Sequence, residues 1–328
     1  MSTLLIIMIV LAVIFDFLNG IHDSSNIVAT MIASRAFSPR VALGVTAFSH
    51  FIAPFLFGVA VATTIGHEVV VAEAITINVL VAALASAIIW NLLTWFLGIP
   101  SSSSHALIGG MIGAVGIGAG FDAINLGGME KILLALFISP IFGLILGYLF
   151  TKLVFILARG ATPKINIFFK RSQIVSAIAL SLSHGTNDAQ KTMGIITLGL
   201  VVTGVIPSFE VPIWVITISA GAIAMGTAFG GWKLIKTLGS KFYKIRPVHG
   251  FSSQLTSAFV ILGASMVGGP VSTTQVVSSS IMGVGSADRV NMVRWGVAKE
   301  IMIAWLVTIP ATAAGAAGLF WLGEKFFG

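Results

Sequence analysis

The sequence predicts an all-α, polytopic membrane protein: an inverted repeat of two five-span halves with broken or re-entrant helices. Three observations carry that prediction. Of 328 residues, 57% are hydrophobic and only 9% charged, where a soluble domain carries about 25% charged residues. Two polar boxes interrupt the apolar chain, and each occurs twice. Asn19-Gly20-Ile21-His22-Asp23-Ser24-Ser25-Asn26 returns as His184-Gly185-Thr186-Asn187-Asp188-Ala189-Gln190-Lys191, and Pro100-Ser101-Ser102-Ser103-Ser104-His105 returns as Pro270-Val271-Ser272-Thr273-Thr274-Gln275. Finally, the basic residues gather in alternate connections, which gives the chain a direction across the bilayer.

Apolar runs between polar breaks give ten segments, at 3–34, 41–64, 74–97, 101–120, 131–157, 173–205, 212–235, 251–268, 271–285 and 298–322. The domain organisation follows: a first transmembrane repeat over 1–160, a basic cytoplasmic linker over 161–172, and a second repeat of inverted topology over 173–328. The first segment begins apolar by Leu4 with no basic n-region, so no cleaved signal peptide is expected. As one helix it would measure about 48 Å, against about 30 Å of hydrocarbon. A break or strong tilt is expected, with Asn19-Gly20 as the break point. Segment 173–205 has the same excess and the same candidate break at His184-Gly185. Segments 101–120 and 271–285 open on serines and threonines, and each is either a full span or a re-entrant hairpin. Gly109, Gly113, Gly116 and Gly120 are spaced for close helix packing. Trp214 and Trp321 read as interface anchors.

Lys and Arg are retained on the cytoplasmic side. Arg35, Arg40, Lys152, Arg159, Lys164, Lys170, Arg171, Lys233, Lys236, Lys241, Lys244, Arg246, Arg289, Arg294 and Lys299 fall on one face, fifteen of the eighteen basic residues. Lys131 and Lys325 fall on the other, with Glu68, Glu73, Asp122, Glu130, Glu210 and Glu324. Both termini are therefore expected outside, in a multi-pass protein of the cell (inner) membrane. The net charge of +7 reflects this orientation, and the lipid bilayer rather than nucleic acid is the expected partner. A five-span unit inverts its second copy. Inverted repeats are typical of secondary transporters, whose sites lie between the halves near the midplane. No P-loop motif is present, which leaves an ion gradient as the energy source.

Carboxylates and freed carbonyls at Asp23 and Asp188 offer hard oxygen ligands suited to Na⁺. Ser101 to Ser104, with Ser272, Thr273 and Thr274, place hydroxyls at helix starts, where unpaired amides and the dipole favour an oxyanion. Lys191, inside a span, has three readings: it attracts the oxyanion, neutralises Asp188 three residues away, or snorkels. Asp16, one turn from Asn19, is a secondary candidate, as are Asn19, His22, His105, His184 and Gln275. The histidines would permit proton relay. No ligand spacing supports a transition metal, and with no cysteine thiolate sites are excluded, so no cofactor is expected.

These residues resemble the inorganic phosphate transporter (PiT) family, in the compact microbial form. His184-Gly185-Thr186-Asn187-Asp188 is similar to the family's Gly-x-Asn-Asp signature. Trp90-Asn91-Leu92 followed by Ile99-Pro100-Ser101-Ser102-Ser103-Ser104-His105 resembles its Trp-Gln-Leu and Pro-Ile-Ser-Gly-Thr-His segment. Two positions depart: His22 precedes Asp23 where the family usually has Asn, and Gln275 stands where a His is often seen. The resemblance implies a secondary transporter, not an enzyme, that imports inorganic phosphate with Na⁺, or alternatively H⁺. It places cations at Asp23, Asn26, Asn187 and Asp188, and the anion at Ser102, Ser103, Ser104, Ser272, Thr273 and Thr274, with Lys191 beside them. It also implies a homodimer.

A phosphate dianion entering against an inside-negative potential costs about 4.6 kcal/mol per 100 mV, which at least two monovalent cations would offset. Three alternatives stand beside this reading. A sulfate permease of the same family would use the same hydroxyls. A passive anion channel would show no ion stoichiometry, and a membrane enzyme would need a nucleophile-base constellation that the sequence does not display.

Overall fold

The structure, a computed structural model, describes residues 2–68, 75–231, 235 and 243–327. Among these it is all-helical. The first half contains α1 (Thr3–Ala33), α2 (Pro39–Phe57), α3 (Ala60–Glu68), α4 (Ile77–Leu97), α5 (Ser103–Gly118) and α6 (Leu126–Leu157). The second contains α7 (Ile165–Val202), α8 (Ile213–Phe229), α9 (Pro247–Met266), α10 (Thr273–Asp288) and α11 (Trp295–Phe327). Short 3-10 turns at Phe121–Ala123 and Val290–Met292 lead into α6 and α11. Five of these helices, α1, α2, α4, α6 and α11, are long and apolar enough to cross a membrane, whereas α5 and α8 are apolar but shorter. Their outward faces carry Phe48, Phe96, Ile141 and Leu306, a surface suited to lipid tails.

Three expectations change. Helices α1 and α7 run unbroken through their Asp boxes, for 31 and 38 residues. The glycines there serve packing rather than unwinding. A Cβ on Gly20 would strike the Ile223 carbonyl and Thr227 amide of α8, and one on Gly185 would strike the His50 backbone of α2. The chain unwinds instead at 98–102 and 267–272, where the Pro-Ser boxes sit. Secondly, segment 41–64 is two helices. Gly58, at φ 77°, ends α2, and Gln190 of α7 bridges the gap: its amide donates to Gly58 O at 2.7 Å while its oxygen accepts from Val61 N at 2.7 Å and Ala62 N at 3.2 Å. Thirdly, residues 165–172 of the expected linker already belong to α7, because Phe169 is buried against Val154 and Val248.

Gly109 and Gly113 do admit the backbone of α11, but Gly116 faces the Phe121 ring and Gly120, at φ 88°, forms a turn beyond α5. Trp214 and Trp321 are both exposed. The end of segment 212–235, the start of segment 74–97, and Glu73, Lys233, Lys236 and Lys241 lie outside the described residues.

Side-chain pairings give the helix directions. Ser34 at the end of α1 donates to Gln173 near the start of α7 at 2.9 Å, and Met8 near the start of α1 packs on Gly199 near the end of α7. The two box-bearing helices are therefore antiparallel. Helix α5 runs parallel to α11, with Gly109 against Ile309, Gly113 against Ala313 and Gly118 against Phe320. Helix α6 runs parallel to α10, with Gly143 against Val276 and Gly147 against Ser280. Each half thus lays its short helix along the last helix of the other, which interlocks them around the centre.

The bonds Ser34–Gln173 and Gln173–Pro247, with the Arg246–Asp288 ion pair, gather four basic connections at one end of the molecule. Arg35, Arg159, Arg246 and Arg289 lie there. At the other end Asn78 donates to Glu324 at 3.1 Å.

Candidate functional site

Helices α5 and α10 begin face to face. Ser102 and Ser272 are their N-caps, each accepting from a backbone amide three residues on, that of His105 or Gln275. Their hydroxyls meet at 2.7 Å. Two positive helix ends therefore converge on one buried spot. The amides of the first turns and the hydroxyls of Ser103, Ser104, Thr273 and Thr274 surround it, all of them buried. Such a spot suits an anion.

The antiparallel pair α1 and α7 carries the carboxylates to the same place. Ser103 Oγ donates to Asp23 Oδ2 at 3.0 Å, and Thr273 Oγ1 donates to Asp188 Oδ2 at 3.0 Å. Each carboxylate thus takes the first helical hydroxyl of its own half. Thr274 Oγ1 also donates to Asp23 Oδ1 at 2.6 Å. The residue one turn on reaches across the halves. Asn26 Nδ2 donates to Asp23 Oδ1 at 3.0 Å and to Thr274 Oγ1 at 2.9 Å, while Lys191 pairs with Asp188 and donates to Ser104 Oγ at 2.6 Å and Val271 O at 3.1 Å. One arrangement occurs twice, with Asn26 and Lys191 in corresponding places.

Oxygens of Asp23 and Asp188 and a ring nitrogen of His184 lie within 4.8 Å of one another, a grouping that can hold a small cation. His184 Nε2 is 2.9 Å from Asp188, and His22 Nδ1 is 3.3 Å from Asp23. His105 Nδ1 meets Ser102 Oγ at 2.7 Å, and Gln275 lies 3.4 Å from the same ring. Asn26 keeps its carbonyl oxygen free of protein partners.

Asn187 points elsewhere, donating to Ser265 Oγ of α9 at 2.8 Å and to Gly269 O at 3.4 Å. These bonds tie α7 to the unwound segment, while the Asn187 oxygen, like that of Asn26, is buried without a hydrogen-bond partner among the described residues. Asp16 and Asn19 are buried on α1, with Asp16 facing Asn19 and Thr192 of α7. Lys191 is buried, so snorkelling is excluded by position. Two residues that the sequence reading noted without placing in the site, Gln190 in the duplicated box and the span histidine His50, also serve here. Gln190 caps the α2–α3 break, and His50 stacks on His184 with ring centroids 4.7 Å apart. Gln190 lay inside the duplicated box, which was the available signal.

Interlocked membrane helices, with unwound segments and short helices meeting at a buried polar centre, define a membrane transport protein. Comparison with known proteins agrees. The phosphate transporter family matches residues 19–316. A probable low-affinity inorganic phosphate transporter of Bacillus subtilis (strain 168) is 45% identical over 98% of this chain and 98% of its own length. One of Rhizobium meliloti (strain 1021) is 45% identical over 94% and 93%. A solved structure titled "The sodium-dependent phosphate transporter" superposes with a TM-score of 0.92 at 27% identity, covering 99% of this chain and 100% of that one. The chain belongs to the phosphate transporter family, and is a transporter rather than an enzyme.

Proposed function

We propose that this chain imports inorganic phosphate by cation symport, with Na⁺ favoured over H⁺. The observation that carries the reading is the direct contact of Asp23 and Asp188 with the hydroxyls of the facing helix starts. A site built of hydroxyls and amides attracts an oxyanion, yet carboxylates in its wall repel one. A cation bound at the carboxylates therefore strengthens binding of the anion, which is the basis of coupling. Ser102, Ser103, Ser104, Ser272, Thr273 and Thr274 would hold the phosphate. Asp23, with the free oxygen of Asn26, provides the negative wall, and Asp188 stands beside it paired with Lys191. The sodium-dependent solved relative supports Na⁺ as the ion.

The antiparallel α1 and α7, and the recurrence of helix order in both halves, support an inverted repeat with the site between its copies and alternating access on either side. The gathered arginines mark the cytoplasmic end, with both termini outside. Proteoliposomes loaded under a Na⁺ or a pH gradient, with excess sulfate as competitor, test the function. Na⁺-driven phosphate uptake that ignores sulfate is expected, and Asp23→Asn should abolish it while the protein still inserts. Uptake driven only by protons would overturn the ion, and uptake blocked by sulfate would favour the sulfate permease reading.

A further inference from the structure

The two halves of the site share one core, an aspartate that accepts from the first hydroxyl of its own short helix, and they diverge one turn beyond it. Asp23 and Asp188 each accept from the first hydroxyl of their own short helix at 3.0 Å, and each has a histidine beside it. The histidines reach their aspartates from different positions, His22 from the preceding residue and His184 from one turn before, but each half has one. In the first half the next residue along is the neutral amide of Asn26; in the second it is the ammonium of Lys191. Asn26 leaves its oxygen unpartnered. Together with the Asp23 carboxylate it forms an oxygen-rich pocket with net negative charge. Lys191 instead fills the corresponding pocket with three donors, which reach Asp188, Ser104 and the Val271 carbonyl. A carboxylate, a hydroxyl and a backbone carbonyl are the ligand types that a monovalent metal ion would take there.

We propose that Lys191 is a tethered cation: its ammonium holds at Asp188 the place that a free coupling cation takes at Asp23. The idea rests on the symport reading and specifies its stoichiometry. The chain then carries one fewer free cation per phosphate than a site with asparagine in both halves. Two physical consequences follow. When the carrier returns without substrate, Asp188 is already neutralised by its own chain, whereas Asp23 has no fixed positive partner other than a protonatable histidine. Furthermore, a single free cation balances the monoanionic form of phosphate, while the dianion would enter with net negative charge at about 2.3 kcal/mol per 100 mV. The monoanion is the preferred cargo.

The test substitutes the residue found in the other half, Lys191→Asn. Equilibrium binding of radiolabelled Na⁺ to the purified full-length protein should show one more ion per chain in this variant than in wild type. In proteoliposomes its phosphate uptake should change from a hyperbolic to a sigmoidal dependence on Na⁺. Lys191→Arg, which keeps the charge, should keep the wild-type dependence. Equal Na⁺ binding in wild type and Lys191→Asn overturns the proposal. Should Lys191→Asn fail to fold, the wild type decides: one bound Na⁺ that is lost in Asp23→Asn supports it, and two overturn it. Because Na⁺ binding is read without phosphate, failure of the phosphate reading would appear separately, as wild-type vesicles that accumulate none under any gradient.

Discussion

At the residue scale, the site is held by hydroxyl-to-carboxylate bonds inside a medium where an isolated charge is costly. A carboxylate at mid-membrane costs at least about 2.5–3.5 kcal/mol on insertion scales, and burial without partners raises that further. Ser103 and Thr273 each return part of this through a 3.0 Å bond to an aspartate, and each also presents its oxygen to the anion spot. Hydrogen bonds to charged groups contribute about 1.5–3 kcal/mol, so Thr273→Ala should raise the apparent KM for phosphate roughly tenfold or more. Thr273→Ser keeps the hydroxyl and should stay close to wild type. Uptake kinetics at fixed Na⁺ check the pair, and equal KM values for the alanine and serine variants would remove Thr273 from the site. Duplication made most of these residues legible: Asp23, Asp188 and the hydroxyl runs stand out because each polar box occurs twice in a greasy chain. Asn187 shows what sequence leaves open, since a polar residue is marked without the direction its amide takes, here to Ser265 and Gly269. Of the three readings of Lys191, burial removes snorkelling, a distinction that sequence could not make.

At the scale of the element, length proved a poor guide to where a helix breaks. Helices α1 and α7 exceed the hydrocarbon thickness but stay continuous, since tilt or protrusion accommodates the surplus and both aspartates find side-chain partners without releasing backbone groups. The unwound stretches fall where proline removes a donor and a serine can cap the next turn, at Pro100-Ser102 and Pro270-Ser272. That signal was present in the sequence and had been read as a helix start, correctly for both short helices. The glycines of the Asp boxes were assigned to the wrong task because a glycine permits both an unwound backbone and a close approach. The distinction can be measured. Gly20→Ala places a methyl on the Ile223 carbonyl and Thr227 amide of α8, backbone atoms that cannot rotate away. Overpacking of this kind costs about 1–3 kcal/mol, and the Tm in detergent should fall by several degrees. Gly44→Ala and Gly221→Ala, where a Cβ meets nothing within 4 Å, should leave the Tm unchanged or raise it, because alanine favours the helix by about 1 kcal/mol. Equal losses at all three positions would contradict close packing as the role of Gly20.

At the scale of the whole molecule, charge and parity carry the argument. Duplication, all-helical character and the apolar surface were readable from composition and repeats alone. The exchange of short helices between halves was not, because α5 lies on α11 and α6 on α10 through contacts that no local pattern announces. The interlock carries the polar contacts across the halves, since Asp23 accepts from Thr274 and Lys191 donates to Ser104. Orientation is the remaining global property. The contacts Ser34–Gln173–Pro247 and Arg246–Asp288 bring the arginine-bearing connections to one end, and the orientation proposed above puts that end in the cytoplasm, where basic residues are retained. Ser38, beside Arg35 and Arg40, and Ser208, in the α7–α8 connection at the opposite end, are both exposed. The chain has no cysteine, so Ser38→Cys and Ser208→Cys each create a single reactive thiol. In intact cells a membrane-impermeant maleimide should label Cys at 208 and spare Cys at 38 until the membrane is opened. The reverse pattern would turn the molecule over, putting both termini inside, and would leave the arginines on the side from which the inside-negative potential repels nothing and retains nothing.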